Sequence, residues 1–183
     1  MLPKVYDGLA QEIMTKTHPI SISKGRRTSQ VEKIPHQVLA LSLFEDLGAP
    51  KGLAGFVDWR MHGFISQQMV QGHIQGHADE CILVSLQKPF VAQKLCLFGL
   101  GSYKDYGVKQ LELALVGMTE KLFGLNPASC FLSIPQLPPH RQAHQAYETV
   151  TNYFSKIQLP FPIEIQLADI LNTHFDQPRE HIS

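Results

Sequence analysis

The sequence predicts a three-layer α/β domain in which a mixed sheet lies between helices. The chain of 183 residues has the length of one domain and can bury a core of ordinary size without metals or disulfides. Apolar strand-like runs alternate with amphipathic segments in the second half of the chain. The clearest run, residues 37–44, lacks the polar alternation of a half-exposed strand, which indicates that helices cover both faces of the sheet.

The first half of the chain contains three predicted strands and one predicted helix. Residues 19–23 alternate between polar and apolar and predict an edge strand, whereas residues 37–44 predict a buried central strand. Helical spacing of apolar side chains predicts one helix over residues 51–71, ended by Gly72 in the manner of a C′ glycine. A strand follows over residues 80–86.

The second half of the chain alternates strands with helices. Residues 94–99 predict a strand antiparallel to the preceding one, because the connection between the two is short. A helix over residues 106–125, a strand over 129–134, a helix at about 141–156 and a strand over 163–167 follow. We therefore expect one domain over residues 1–183, with its core at about 36–168 and peripheral segments at 1–17 and 169–183.

Charge and hydropathy exclude several classes of partner. Lys and Arg together number 16, as do Asp and Glu, so the net charge is zero. Nucleic-acid-binding domains usually carry a basic excess, and a nucleic-acid partner is therefore not expected. No apolar run approaches the roughly 20 residues of a membrane span, and residues 1–14 lack the apolar stretch of a secretory signal. We expect a cytoplasmic protein that does not contact a membrane.

The cysteine pattern argues against a disulfide framework. The three cysteines, Cys81, Cys96 and Cys130, contain no Cys-x-x-Cys pair, and each lies within an apolar strand-like run. We expect three buried thiols in the reduced state.

A glycine-containing turn follows the strand over residues 94–99 and is the predicted ligand site. In open α/β sheets ligands bind at the carboxyl ends of strands, and backbone amides near a helix N-terminus bind anions. The turn matches neither G-x-G-x-x-G nor G-x-x-x-x-G-K-[ST]. If a nucleotide binds, we expect it to contact Gly99, Gly101, Ser102 and Lys104.

Two other groups of polar residues are weaker candidates for a site. His73 and His77 are spaced for one face of a helix, where Asp79 and Glu80 could complete a zinc site, but the glycines beside them argue against a helix. We therefore expect no bound metal. The acidic pair at residues 45–46 is expected to cap a helix or to hold a loop, because adjacent side chains on a strand point to opposite faces.

The order of these features resembles the N-terminal domain of the cytosolic leucyl aminopeptidase family over residues 36–135. The shared features are an acidic pair after a strand, a Gly-x-x-x-Gly turn followed by an acidic residue, and a strand that ends in Gly-Leu-Gly. They correspond here to Glu45 and Asp46, to Gly72, Gly76 and Glu80, and to Gly99-Leu100-Gly101. That family domain has a macro-domain-like fold, so the resemblance implies a mostly parallel sheet with helices on both faces.

The resemblance also implies what the chain lacks. In the full-length peptidases a C-terminal domain binds two metal ions around an Asn-Thr-Asp-Ala-Glu-Gly-Arg motif. The nearest match here, Asn172-Thr173-His174, has no acidic continuation. We therefore expect a non-catalytic, stand-alone relative without a cofactor. Its role would be assembly, regulation or protein interaction, through self-association or binding to another protein.

Two alternative functions stay open. Macro domains that bind ADP-ribose carry an acidic residue for the adenine and a glycine-rich diphosphate loop. That loop is not recognisable in this sequence, and peptidase-type relatives generally lack the pocket. ADP-ribose or a related nucleotide nevertheless remains the first alternative. Metal-dependent hydrolysis through the segment that contains His73 and His77 is the second.

Overall fold

The computed structural model describes residues 18–24, 31–138 and 144–168 and confirms the predicted α/β class. The described residues form one six-stranded sheet. Its strands are β1 (Ile20–Lys24), β2 (Val38–Leu43), β3 (Cys81–Ser85), β4 (Lys94–Gly99), β5 (Cys130–Pro135) and β6 (Ile163–Ala168). The α-helices are α1 (Gly52–Arg60), α2 (Phe64–Val70), α3 (Val108–Leu125) and α4 (His144–Phe154).

The sheet has the strand order β1-β6-β5-β2-β4-β3. Only β3 runs antiparallel to its neighbour β4, and the other four pairings are parallel. The expectation of a mixed, mostly parallel sheet with β3 and β4 antiparallel is therefore confirmed. The predicted edge strand at residues 19–23 is also confirmed, because among the described strands β1 lies at one end of the sheet and pairs with β6 alone.

Helices cover both faces of the sheet, and this explains why the central strands are apolar throughout. Successive side chains of β2 point to opposite faces, as in any strand. Val38 and Ala40 pack in the cluster that contains α3 and α4. Leu39 and Leu41 pack on the other face, in the cluster that contains α1 and α2.

The single helix predicted over residues 51–71 is wrong, because the chain forms two helices there. The break lies at residues 61–63, where His62 has φ 57° and Gly63 has φ 78°. The buried carboxylate of Asp58 accepts hydrogen bonds from the Ser66 amide at 3.0 Å and from its hydroxyl at 2.5 Å, and so caps α2. The apolar spacing continues across the break because both helices pack on the same face of the sheet.

The expectation of three buried cysteines is also wrong for one of them. Cys96 and Cys130 are buried, but Cys81 is exposed because β3 is the edge strand at the other end of the sheet. Burial raises the pKa of Cys130 to about 12. No helix among the described residues is long and apolar enough to cross a bilayer. The peripheral segments expected at 1–17 and 169–183 lie outside the described residues.

Candidate functional site

The sheet has a topological switch point between β2 and β5. These two parallel strands are neighbours, yet the chain leaves β2 toward α1 on one face and leaves β5 toward α4 on the other. Connections that diverge in this way leave a crevice beyond the carboxyl ends of the strands, and open α/β sheets bind ligands in that crevice.

A small cavity lies at the switch point. Its volume is about 10 Å³, and its walls include Ser42 of β2, Ser133 of β5, Ala168 of β6 and Lys51 before α1. This is room for about one water molecule, whereas small-molecule pockets usually measure roughly 300–1,000 Å³. The crevice is therefore closed in this conformation.

Ser133 places a polar group in the wall of this cavity. Phe131, two residues earlier on β5, packs on the face that α1 covers. Residues two apart on a strand point to the same face, so Ser133 also faces α1. The residue is only 6% exposed. The Ser133 carbonyl accepts a hydrogen bond from the Ser42 hydroxyl at 3.2 Å, but the Ser133 hydroxyl bonds to none of the described residues. A ligand that enters the cavity could therefore use this hydroxyl.

The N-terminus of α1 adds donors to the same cavity. Lys51 is the N-cap residue, and its side chain makes no capping hydrogen bond. The amide of Gly55 bonds to the Lys51 carbonyl at 3.2 Å, whereas the amides of residues 52–54 have no partner among the described residues. Unpaired amides and the helix dipole make this terminus favourable for an anion, and the Lys51 ammonium adds a positive charge.

Asp46 holds the segment between β2 and α1 in place. Its carboxylate accepts hydrogen bonds from the Tyr103 amide at 2.7 Å, the Lys104 amide at 3.3 Å and the Ser102 hydroxyl at 3.1 Å. Burial opposes ionisation of Asp46, but these hydrogen bonds outweigh it and hold its pKa below the ordinary value. The acidic pair thus serves loop structure through Asp46, as the sequence indicated.

The four residues predicted to contact a ligand all bond to neighbouring loops of the protein itself. The Gly99 amide donates to the Glu80 carbonyl at 2.9 Å, and a Cβ on Gly99 would overlap the His77 carbonyl. The Gly101 amide donates to the Gly76 carbonyl at 2.9 Å. Ser102 and Lys104 bind the Asp46 carboxylate. The turn at residues 76–80 therefore occupies the space above the glycines, and their contact with a ligand stays a prediction.

The side chains of the weaker candidate for a metal site each bond to a different partner. His73 contacts the Gln68 side chain, His77 contacts Glu45 at 2.7 Å, Asp79 pairs with Lys121, and Glu80 accepts the amides of Gln75 and Gly76. Within residues 18–24, 31–138 and 144–168, no group of three or more His, Cys, Asp or Glu side chains is placed to hold a metal ion.

The switch-point residues Ser42, Lys51 and Ser133 were not predicted as a site from the sequence. Their juxtaposition depends on the pairing of β2 with β5, which are about 90 residues apart in the chain. The one signal in the sequence that could have identified them is the resemblance itself, since the implied fold fixes the order of the strands.

Comparison with known proteins gives structural relatives alone. No protein family and no curated protein matches the chain in sequence. Among solved structures, the macrodomain of Mycobacterium tuberculosis DarG has a TM-score of 0.59 at 13% identity, over 82% of this chain and 98% of that one. An Oceanobacillus iheyensis macrodomain mutant with ADPR gives 0.56 at 12% identity, over 83% and 86%.

A leucine aminopeptidase is similar to this chain over about one third of the enzyme's own length. A mutant of the tomato enzyme has a TM-score of 0.56 at 13% identity over 84% of this chain, which spans 33% of the enzyme's length. These likenesses confirm the macro-domain-like fold that the resemblance implied.

Proposed function

We propose that this chain is a macro-domain-like nucleotide-binding domain whose ligand is ADP-ribose or a related nucleoside diphosphate. The observation that supports it most is the switch-point crevice, whose walls contain both Ser133, with a hydroxyl that bonds to none of the described residues, and the start of α1, with its unpaired amides. Macrodomains with the same fold have been solved with such ligands, one of them with ADPR.

The chemistry of the crevice suits a diphosphate joined to a sugar. The amides of residues 52–54 and the Lys51 ammonium would hold the diphosphate, because a helix N-terminus and a cation both favour negative charge. The Ser133 hydroxyl can donate one hydrogen bond and accept others, which suits a ribose hydroxyl. Leu41 and Leu53 supply apolar wall at the same place.

Binding requires part of the cavity wall to move, because the 10 Å³ cavity is far smaller than a nucleotide. Lys51 lies in that wall at the end of the segment 46–51, and we propose that this segment opens. Asp46 anchors the start of this segment through its hydrogen bonds to residues 102–104. The closed conformation would then be in equilibrium with an open, binding-competent one, and the closed state would lower the apparent affinity.

A nucleotide panel tests the proposal by thermal unfolding. ADP-ribose, ADP, AMP and adenosine are compared at high excess. A ligand at a hundred times its Kd adds about 2.7 kcal/mol of stability, or a rise in Tm of roughly 5–10 °C for a protein of this size. We expect the diphosphates to raise Tm and adenosine to leave it unchanged. A panel in which no compound shifts Tm overturns the proposal.

A non-catalytic assembly module is the second candidate, and one surface feature favours it. Leu113, Val116 and Phe123 lie on the outer side of α3 and are 65%, 44% and 54% exposed. Such apolar groups on one helix suit a protein contact. Light scattering after size-exclusion chromatography tests it: a dimer that Leu113→Glu dissociates is expected, and a strict monomer overturns it. A cytoplasmic location is part of both proposals.

A further inference from the structure

Cys81 and Cys96 form a thiol pair that the proposed function does not use. They lie on the antiparallel neighbours β3 and β4, where Cys81 is opposite Phe98 and Cys96 is opposite Leu83. The two cysteines are therefore diagonal neighbours on one face of the sheet. Their sulfur atoms are 3.5 Å apart, so the two side chains point toward each other and no atom separates them.

The two thiols differ in their access to solvent. Cys81 is exposed on the edge strand, whereas Cys96 is 3% exposed. Burial, and then the neighbouring Cys81, raise the pKa of Cys96 well above its ordinary value. A dissolved oxidant therefore reacts with Cys81 first, while Cys96 is a protonated thiol in contact with the Cys81 sulfur.

We propose that Cys81 is a site of reversible oxidation by hydroperoxides and that Cys96 resolves the oxidised product to a disulfide. In the first step the Cys81 thiol loses its proton and the thiolate attacks the hydroperoxide. The O–O bond breaks, an S–O bond forms, and the leaving oxygen takes up that proton and departs as water or an alcohol. In the second step the Cys96 sulfur attacks the sulfenic acid. The S–O bond breaks, an S–S bond forms, and the Cys96 proton leaves with the hydroxyl as water. Two thiols lose two electrons and the hydroperoxide gains them.

The position of the pair on the edge strand favours a bridge that a thiol reductant can open again. Diagonal residues on adjacent strands have Cα atoms about 7–8 Å apart, whereas disulfides usually join Cα atoms no more than about 6.8 Å apart. The backbone of β3 must shift to close the bridge, and it can do so because β4 is its one neighbour among the described strands. Disulfides formed under such constraint are the readily reduced ones.

Cys130 provides an internal control. It is buried in β5, and β2 lies between β5 and β4. The proposed bridge therefore leaves Cys130 as a free thiol, and the variant Cys130→Ser should form the same bridge as the wild type. This reaction is independent of nucleotide binding, so failure of either proposal leaves the other standing.

The test treats the reduced full chain with hydrogen peroxide and counts free thiols, with intact mass and peptide mapping. We expect the three thiols of the chain to fall to one, with loss of two hydrogen atoms, a peptide that joins Cys81 to Cys96, and full recovery with dithiothreitol. In Cys96→Ser, dimedone should trap a sulfenic acid at Cys81. Three persisting thiols, a bridge that includes Cys130, or equal dimedone labelling of wild type and Cys96→Ser would overturn the proposal.

Discussion

A substitution at Ser133 can distinguish a role in ligand binding from a role in stability. The Ser133 hydroxyl bonds to none of the described residues although the residue is 6% exposed, so replacement by alanine removes no hydrogen bond and adds no volume. We expect Ser133→Ala to leave Tm within a few degrees of the wild type and to weaken ADP-ribose binding at least tenfold, measured by calorimetry. Ser85→Ala, on the exposed edge strand, is the matched control. Equal affinity in the two variants would contradict the proposed site.

We expect Asp46 to set how readily the crevice opens, because it holds the start of the segment 46–51, whose last residue, Lys51, lies in the cavity wall. The pKa of Asp46 in the folded protein lies below its ordinary value. The hydrogen bonds to its carboxylate therefore stabilise the loop at pH values above the ordinary pKa. This stabilisation is lost as the pH falls through the lowered pKa. The group is exposed, so the loss of stability is small, below about 1 kcal/mol.

We expect Asp46→Asn to remove this acid-dependent loss, measured as urea unfolding between about pH 7 and pH 3. The same variant should bind ADP-ribose several-fold more tightly at neutral pH, because the open conformation is more populated. Weaker binding by Asp46→Asn would show that Asp46 does not restrain the crevice.

At the scale of elements, the packing of β4 against the 76–80 turn depends on the absence of a side chain at Gly99. A Cβ there would overlap the His77 carbonyl and would lie 2.7 Å from the Gly76 carbonyl carbon. We expect Gly99→Ala to lower Tm by several degrees. Gly124→Ala is the matched control, since nothing lies within 4 Å of a Cβ there, and alanine near the end of α3 should raise stability by up to about 1 kcal/mol. Equal effects would contradict this packing.

A buried carboxylate stabilises the start of α2, just after the break between α1 and α2. Asp58 accepts both hydrogen bonds from Ser66, and loss of such a cap costs about 1–2 kcal/mol. We therefore expect Asp58→Ala to lower Tm by roughly 2–8 °C. Asp105→Ala, at an exposed position in the turn before α3, is the control. An unchanged Tm in Asp58→Ala would show that the hydrogen bonds from Ser66 to Asp58 do not stabilise α2.

These elements also show what the sequence could predict. Strands such as β2 and β4 are buried on both faces, so their position follows from local apolar runs. The break at residues 61–63 was not predictable from periodicity, because α1 and α2 continue one apolar pattern on the same face of the sheet. The exposure of Cys81 was missed for a different reason: the run CILVSL is apolar whether its strand lies at the centre or at the edge.

At the scale of the whole molecule, strand order decides where a ligand can bind. The sequence located a turn after β4, but the adjacency of β2 and β5 places the crevice elsewhere. That adjacency joins segments far apart in the chain, and no local pattern encodes it. The carboxyl end of β4 is instead filled by the protein's own 76–80 turn.

Amide chemical shifts show where on the protein a nucleotide binds. In a titration of the ¹⁵N-labelled chain with ADP-ribose, we expect saturable shifts at residues 46–54 and at Ser133, at the ends of β2 and β5. Saturable shifts confined to residues 99–104 would place the ligand at the end of β4. An unchanged spectrum at high nucleotide concentration would contradict nucleotide binding altogether.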